Sequence, residues 1–250
     1  MTNALILAGT RPGGDVLADK LGVAHKALIE IDGEPILQRV IRALQSAGMN
    51  RVLVSCDESP VALLASKLGA EVIAPRRGPS ASVAAAFEAI GAPLVVTTSD
   101  HALLQADWIR ELIMGTPQEA DLSIMLAERA AVQKAIPGSR RTYLRFADGN
   151  WSGCNLFFLQ SPNAARALAT WSMVEAHRKR PWRIAAKLGV RTLLGMALGK
   201  LTLAEGLSRL GRRIGVNAAM VSASDGLAAV DVDKVGDLEA VEQVLARRHY

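Results

Sequence analysis

The stretch Ala4-Leu-Ile-Leu-Ala8-Gly9-Thr-Arg-Pro-Gly-Gly-Asp15 is a short apolar run that stops in a glycine-containing turn. A continuous apolar run without polar alternation predicts a β-strand buried on both faces. Strands of that kind belong to parallel sheets covered by helices, so this stretch decides the fold class. The same alternation continues down the chain. Pro35 opens an amphipathic helix with Ile36, Leu37, Val40, Ile41 and Leu44 on one face, and Gly48 stands where a stop belongs. Residues 51–56 predict the next strand, and 60–68 a helix closed by Gly69. A strand at 71–74, a helix at 80–90 and a strand at 93–98 follow. This βαβα order with short connections predicts a largely parallel sheet with helices on it. Ligands in such sheets bind beyond the carboxyl ends of the strands. The loops at 9–15, 75–82 and 99–104 all follow strands and are expected to share that edge.

The second half is less regular. Its pattern predicts a helix at 105–115, a strand at 121–127, and strands at 141–146 and 153–159 around an Asp148-Gly149 turn. Ser161-Pro162 reads as an N-cap and first helical residue of a helix to about 175. Residues 227–232 read as a strand and 234–248 as a closing helix.

The chain has 250 residues, half of them hydrophobic, with 21% charged and 4% aromatic. It is expected to form a single α/β domain over 1–250. Two cysteines, Cys56 and Cys154, exclude a disulfide framework and a zinc site built mainly on thiolates. The N-terminus carries no basic region before its short apolar run, and no apolar stretch approaches the ~20 residues of a membrane span. A cytoplasmic location is the expectation.

The net charge of +5 is unevenly spread. Residues 175–213 hold ten Lys/Arg against Glu175 and Glu205, a charge of +8; the rest, with 19 bases and 22 acids, carries −3. A mildly acidic body with few aromatics is a poor nucleic-acid binder. Within the basic segment, Val190, Leu193, Leu194, Ala197, Leu198 and Leu201 recur at helical spacing, while Arg183, Lys187 and Arg191 share another face. Thr202-Leu-Ala-Glu205 is a capping-box signature for a helix to Leu210, with Gly211 as its stop. The segment reads as an inserted helical hairpin, with three uses open: a solvated basic face, a peripheral contact with an anionic membrane, or a homodimer contact.

The first loop carries the chemistry. Gly9, Thr10, Gly13 and Gly14 offer backbone N–H groups, and Arg11 and Lys26 offer cations, to a polyphosphate. A solvated surface loop is the alternative. The loop is neither a G-x-x-x-x-G-K-[ST] P-loop nor a G-x-G-x-x-G dinucleotide turn.

The order of motifs adds a family. Leu7-Ala-Gly-Thr-Arg11, His25-Lys-Ala-Leu28 and Asp32-Gly-Glu-Pro-Ile-Leu37 together resemble the N-terminal signature of MobA-like NTP transferases and sugar-phosphate nucleotidyltransferases. Gly78-Pro-Ser-Ala-Ser-Val83 resembles their base loop. Val95-Val-Thr-Thr-Ser-Asp100 resembles their strand-to-aspartate metal element, and Val230-Asp-Val-Asp-Lys-Val-Gly-Asp-Leu238 their closing element. Thr10 stands where a second glycine is usual, and Lys234-Val-Gly replaces the usual Thr-Pro-Glu turn.

The resemblance implies a Rossmann-like, GT-A-type three-layer α/β/α fold with a mostly parallel mixed sheet. It implies Mg²⁺-dependent transfer of an NMP from an NTP, CTP or GTP favoured, to a phosphorylated acceptor. Arg11 and Lys26 would hold the triphosphate. Leu7, Ala8, Gly9, Thr10, Gly13, Gly14, Gly78, Ser80 and Ser82 would line the nucleotide. Asp100 with Asp233 or Asp231 would hold the metal, and His101 and Asn155 would face the acceptor. Ser80 as a helix cap and Asp233 as an N-cap are the structural alternatives. A GT-A glycosyltransferase using Asp231-Val-Asp233, and a non-catalytic nucleotide-binding protein, are the competing functions.

Overall fold

The computed structural model describes residues 1–10, 13–57, 59–139, 141–177 and 189–248. The first half reads β1 (Asn3–Leu7), α1 (Val16–Leu21), a small ribbon of β2 (Glu30–Ile31) and β3 (Glu34–Pro35), and α2 (Ile36–Ser46). It continues through β4 (Val52–Ser55), α3 (Pro60–Lys67), β5 (Glu71–Ile73), α4 (Pro79–Ile90) and β6 (Leu94–Thr98). The second half holds α5 (Ala106–Gly115), β7 (Leu122–Glu128), α6 (Arg129–Ala135), β8 (Leu144–Phe146), β9 (Gly149–Leu159) and α7 (Ala164–Ala176). After residue 189 come α8 (Val190–Ala197), α9 (Leu203–Ile214), β10 (Ala218–Ser222) and α10 (Val235–Arg248).

The main sheet runs β10-β7-β9-β6-β1-β4-β5, with β8 paired to β9. Pairs β1/β4, β1/β6, β4/β5 and β7/β10 are parallel; β9 runs antiparallel between β6 and β7. The strand period of two sends alternate side chains to the two faces. Ala4, Ile6, Val52, Val54 and Val95 join the apolar faces of α2, α3, α5 and α10 in one core. Leu5, Leu53, Leu94 and Val96 join α4 and α7 in the other. The result is the expected three-layer α/β/α fold. All five residues predicted for the apolar face of α2 are buried, and Gly48 and Gly69 take positive φ just past α2 and α3.

Three expectations are corrected. Residues 227–232 do not form a strand: Gly226–Ala229 is a 3₁₀ turn, and an irregular extended segment follows it. The last strand is instead β10, earlier in the chain. The apolar run at 227–232 is buried as a packed turn beneath α6, β7 and β9, which gives it the composition of a strand without the ladder. Helix α7 begins after Asn163, two residues later than Ser161-Pro162 suggested: the Ser161 hydroxyl accepts from Asn163 N at 3.2 Å as a cap does, but Ala164 N and Ala165 N donate to Ser161 O and Pro162 O, so the chain enters the helix through a tighter turn.

Gly211 does not stop its helix. The capping box at Thr202 and Glu205 forms as expected, but α9 continues to Ile214 and ends at Gly215, at φ 71°. Glycine at 211 is required by packing, since an added Cβ would stand 2.3 Å from the Val216 carbonyl oxygen. Gly211→Ala is expected to destabilise the fold by about 2–3 kcal/mol, measured as a fall in Tm of several degrees. Arg183 and Lys187, expected to share a helix face, lie outside the described residues.

Candidate active site

Strands β1, β4, β5 and β6 end side by side. Ala8 N donates to Ser55 O at 3.0 Å, Cys56 N to Ile73 O at 3.2 Å, and Ser99 N to Leu7 O at 3.0 Å. The loops at 9–15, 75–82 and 99–104 therefore share one edge, and an added Cβ on Gly9 would touch Pro75 at 3.7 Å. The segment before α10 crosses the same edge, where Val232 N donates to Asp100 O at 3.0 Å. That single backbone bond brings Asp233 to Asp100 across more than half the chain.

The two carboxylates meet around a lysine. Lys26, in a 3₁₀ turn at Lys26–Leu28, places its Nζ 2.5 Å from Asp100 Oδ2 and 2.8 Å from Asp233 Oδ1. The Thr98 hydroxyl donates to the other oxygen of Asp100. Burial alone pushes the Asp100 carboxyl up, but Lys26 and Thr98 outweigh it and hold it below the usual carboxylate range. Burial likewise pushes the Lys26 ammonium down, and the two carboxylates outweigh it and raise it. Asp233 is half exposed at the mouth, while Asp100 sits beneath it.

Asp231 is turned elsewhere. Its carboxylate accepts from the Arg141 guanidinium and, at 2.9 Å, from Asn155 Nδ2. Burial raises the Asp231 carboxyl; Arg141 opposes this only in part, and Asp100 and Asp233 add to the rise. Asn155 sits where the β7/β9 register shifts, at φ 49°. Asparagine tolerates that left-handed conformation better than most residues, and such irregularities re-aim side chains next to sites.

Among the described residues, no three His, Cys, Asp or Glu side chains converge as metal ligands. Asp100 and Asp233 do converge on one cation, the Lys26 ammonium. Asp100, buried, and Asp233, half exposed above it, offer hard carboxylate oxygens of the kind that suits Mg²⁺. The donor set therefore fits that ion through Asp100 and Asp233, with Asp231 facing Arg141.

His101, expected to face an acceptor, is instead 1% exposed and stacked on Trp108 with ring centroids 6.1 Å apart. Burial holds its pKa down to about 4, so the ring is neutral. His25 is likewise buried, and its Nδ1 accepts from Ala27 N at 3.0 Å, which fixes the turn that carries Lys26. Both cysteines are buried: desolvation pushes the Cys56 thiol up to about 11 and the Cys154 thiol higher still. Neither thiol is expected to react with Ellman's reagent at pH 8 in the native protein, whereas both should react after denaturation.

Of the expected nucleotide-loop residues, Leu7 ends β1, Ala8 follows it, buried, and Gly9, Thr10, Gly13 and Gly14 lie exposed at the mouth. Gly13 and Gly14 take φ 104° and 81°. Arg11 lies outside the described residues. Gly78 is the N-cap of α4, so Ser80 is not the cap; its hydroxyl donates to Glu175 at 2.5 Å. The Ser82 hydroxyl accepts from Arg76 N at 2.8 Å and lies 3.1 Å from Gly78 O, which ties the loop to itself. Thr98, Arg141 and Glu175 were not foreseen. Thr98 was within reach, because it ends β6 only two residues before Asp100 in the same motif; Arg141 and Glu175 contact partners about ninety residues away and carry no local signal.

The MobA-like NTP transferase domain matches residues 4–138. Among solved structures, a hypothetical transferase from Thermus thermophilus is 29% identical, covering 95% of this chain and all of that one, with a TM-score of 0.81. CMP:2-keto-3-deoxy-manno-octonic acid synthetase complexed with CTP is 16% identical over 99% of both chains, with a TM-score of 0.61. CTP:phosphocholine cytidylyltransferase from Streptococcus pneumoniae is 13% identical over 98% of this chain and 99% of that one, with a TM-score of 0.60. These last two share the fold. No curated protein matches.

Proposed function

The chain belongs to the MobA-like NTP transferase family, and from that premise we propose that it is a Mg²⁺-dependent enzyme moving an NMP from an NTP to a phosphorylated small molecule, with release of pyrophosphate. CTP or GTP is the favoured donor. The observation that carries the reading is the cluster of Lys26 between Asp100 and Asp233, set beside the Gly9 loop at the carboxyl edge of the sheet.

Nucleotidyl transfer is an in-line displacement at the α-phosphorus, in which positioning and charge neutralisation carry most of the rate. Mg²⁺, held by Asp100 and Asp233, would offset the charge of the phosphates and of the leaving pyrophosphate. Thr98 holds the Asp100 carboxylate in one orientation, and the Val232–Asp100 backbone bond keeps Asp233 beside it. Lys26 brings a fixed positive charge to the triphosphate, joined by Arg11 from the first loop. The N–H groups of Gly9, Thr10, Gly13 and Gly14 complete the phosphate cradle. Asn155 and Arg141, braced on Asp231, offer donors to the phosphate of the acceptor.

The divergence of Asp231 and Asp233 favours nucleotidyl transfer over a D-x-D glycosyltransferase site, because the two carboxylates serve different partners. Val190, Leu194 and Leu198 are exposed along and just beyond α8, within the +8 segment. That pattern supports a peripheral contact through 175–213, with an anionic membrane or a second copy, for a protein working in the cytoplasm. No helix among the described residues is long and apolar enough to cross a membrane.

The test is pyrophosphate release with Mg²⁺, each NTP in turn, and a panel of phosphorylated sugars and alcohols. One NTP is expected to release pyrophosphate only with a phosphorylated acceptor. Nucleotide binding without pyrophosphate from any pairing would favour the non-catalytic reading.

A further inference from the structure

Helix α8 turns a narrow apolar stripe outward. Val190, Leu194 and Leu198 recur at a spacing of four, which lines them up along one side of the helix and its end, and they are 55%, 55% and 64% exposed. Gly195 faces the body instead: an added Cβ there would stand 3.1 Å from the side chain of Leu201, which is buried. Cations border the stripe. Arg191 is exposed on the first turn, the Arg213 guanidinium of α9 lies against Gly189 just before it, and Lys200 is exposed just beyond its end. Residues 176–204 hold seven Lys or Arg and no Asp or Glu. The helix is fastened to the turn between β8 and β9, where Ala147 N donates to Leu201 O at 2.8 Å and Leu203 N to Asp148 Oδ1 at 2.9 Å. The first residues of β9 pair with the carboxyl end of β7, Trp151 opposite Glu128, so α8 stands at the site's end of the sheet.

We propose that α8 docks on an anionic phospholipid surface, its apolar stripe entering the headgroup boundary and its flanking cations meeting lipid phosphates. This rests on the peripheral contact suggested above, commits it to one partner, and does not depend on the reaction. Helices that lie in a membrane interface combine these two features, an exposed apolar side and Lys or Arg beside it. Anionic lipid attracts each such cation, and burial of the aliphatic side chains adds a part that salt does not screen. A second copy fits less well. A two-fold contact places the same patch on both chains, which would set one +8 segment against another. Nucleic acid would meet the cations and leave the three aliphatic side chains nothing to bury against. Docked in this way, the chain turns the β8/β9 end of its site toward the lipid.

The experiment is flotation of the full chain, without nucleotide, on vesicles of phosphatidylcholine alone and of phosphatidylcholine mixed with phosphatidylglycerol. Wild type is expected to bind the anionic vesicles about 10-fold more tightly or better, and to lose most of that preference in high salt. Leu194→Ser combined with Leu198→Ser, both at exposed positions, should weaken binding to the anionic vesicles about 10-fold or more, while Tm and nucleotide binding stay at the wild-type level. Arg191→Gln combined with Lys200→Gln keeps the stripe and should lower the preference for anionic vesicles about 5-fold, so the test does not hang on the folding of one variant. A wild type that binds neither vesicle, or both equally, would overturn the inference, as would two variants that bind like wild type. A dimer in sedimentation that Leu194→Ser with Leu198→Ser dissociates, with no vesicle bound, would overturn it in favour of a second copy. Binding to anionic vesicles by a chain that handles no NTP would sustain this inference and overturn the nucleotidyl-transfer reading alone.

Discussion

Lys26→Met is expected to lower turnover by about 10²–10³-fold, with the acceptor selected by the pyrophosphate assay. In the proposed reaction the side chain supplies charge to the triphosphate, and methionine keeps its length without that charge. The same change should also alter stability, and this separates the account from a purely structural role for the lysine. In the free protein the Lys26 ammonium is the cation that Asp100 and Asp233 share. Removing it leaves the carboxylate of Asp100, a residue 7% exposed, with Thr98 as its one remaining hydrogen-bond donor among the described residues. Breaking a buried pair from one side costs about 3 kcal/mol or more. The two carboxylates then form a vacant divalent site, so added Mg²⁺ should recover much of the lost Tm in the variant and little in wild type. A variant with wild-type turnover, or one whose Tm ignores Mg²⁺, would count against the arrangement.

Asp100→Asn is expected to cut metal-dependent turnover by about 10³-fold or more while the protein remains folded. Asparagine keeps the shape and an acceptor for the Thr98 hydroxyl, and Lys26 retains its bond to Asp233. What is lost is one of the two anionic ligands and the charge that draws a cation into the site. Asp233→Asn should be weaker in its effect on stability, because Asp233 is half exposed and exposed ion pairs contribute about 1 kcal/mol or less. Asp231→Asn should change metal binding least of the three and act on the acceptor side, where Arg141 and Asn155 hold it. Apparent Mg²⁺ affinity measured across the three variants would expose this order.

The parts of the fold that could be read from sequence are those where one local pattern has one physical cause. The β1 and α2 patterns each have a face or faces to bury, and both are buried as expected. The 227–232 run misled because burial alone does not distinguish a ladder from a packed turn. In the other direction, Ala218–Ser222 was missed because its small residues pair with β7 without the β-branched run that signals a strand. Lys26 and Asp100 were legible as motif positions. Their direct pairing was not, since 74 residues separate them and nothing local encodes the contact. A strand's period of two would have put Asp231 and Asp233 on one face; they face different partners because the segment is irregular backbone and not a strand. Arg141, Asn155 and Glu175 show the limit most clearly. Each acquires its role from a partner on a distant element, and only Asn155 could be placed in advance.

The proposed role of Asp100 and Asp233 is to form the divalent-cation site of a nucleotide-binding edge. It is tested most directly by electron paramagnetic resonance titration of Mn²⁺ in the presence of CTP or GTP. Wild type should immobilise one Mn²⁺ per chain together with the nucleotide, and Asp100→Asn should leave the added Mn²⁺ no more immobilised than nucleotide alone does. Equal Mn²⁺ stoichiometry and affinity in wild type and in Asp100→Asn would contradict the account.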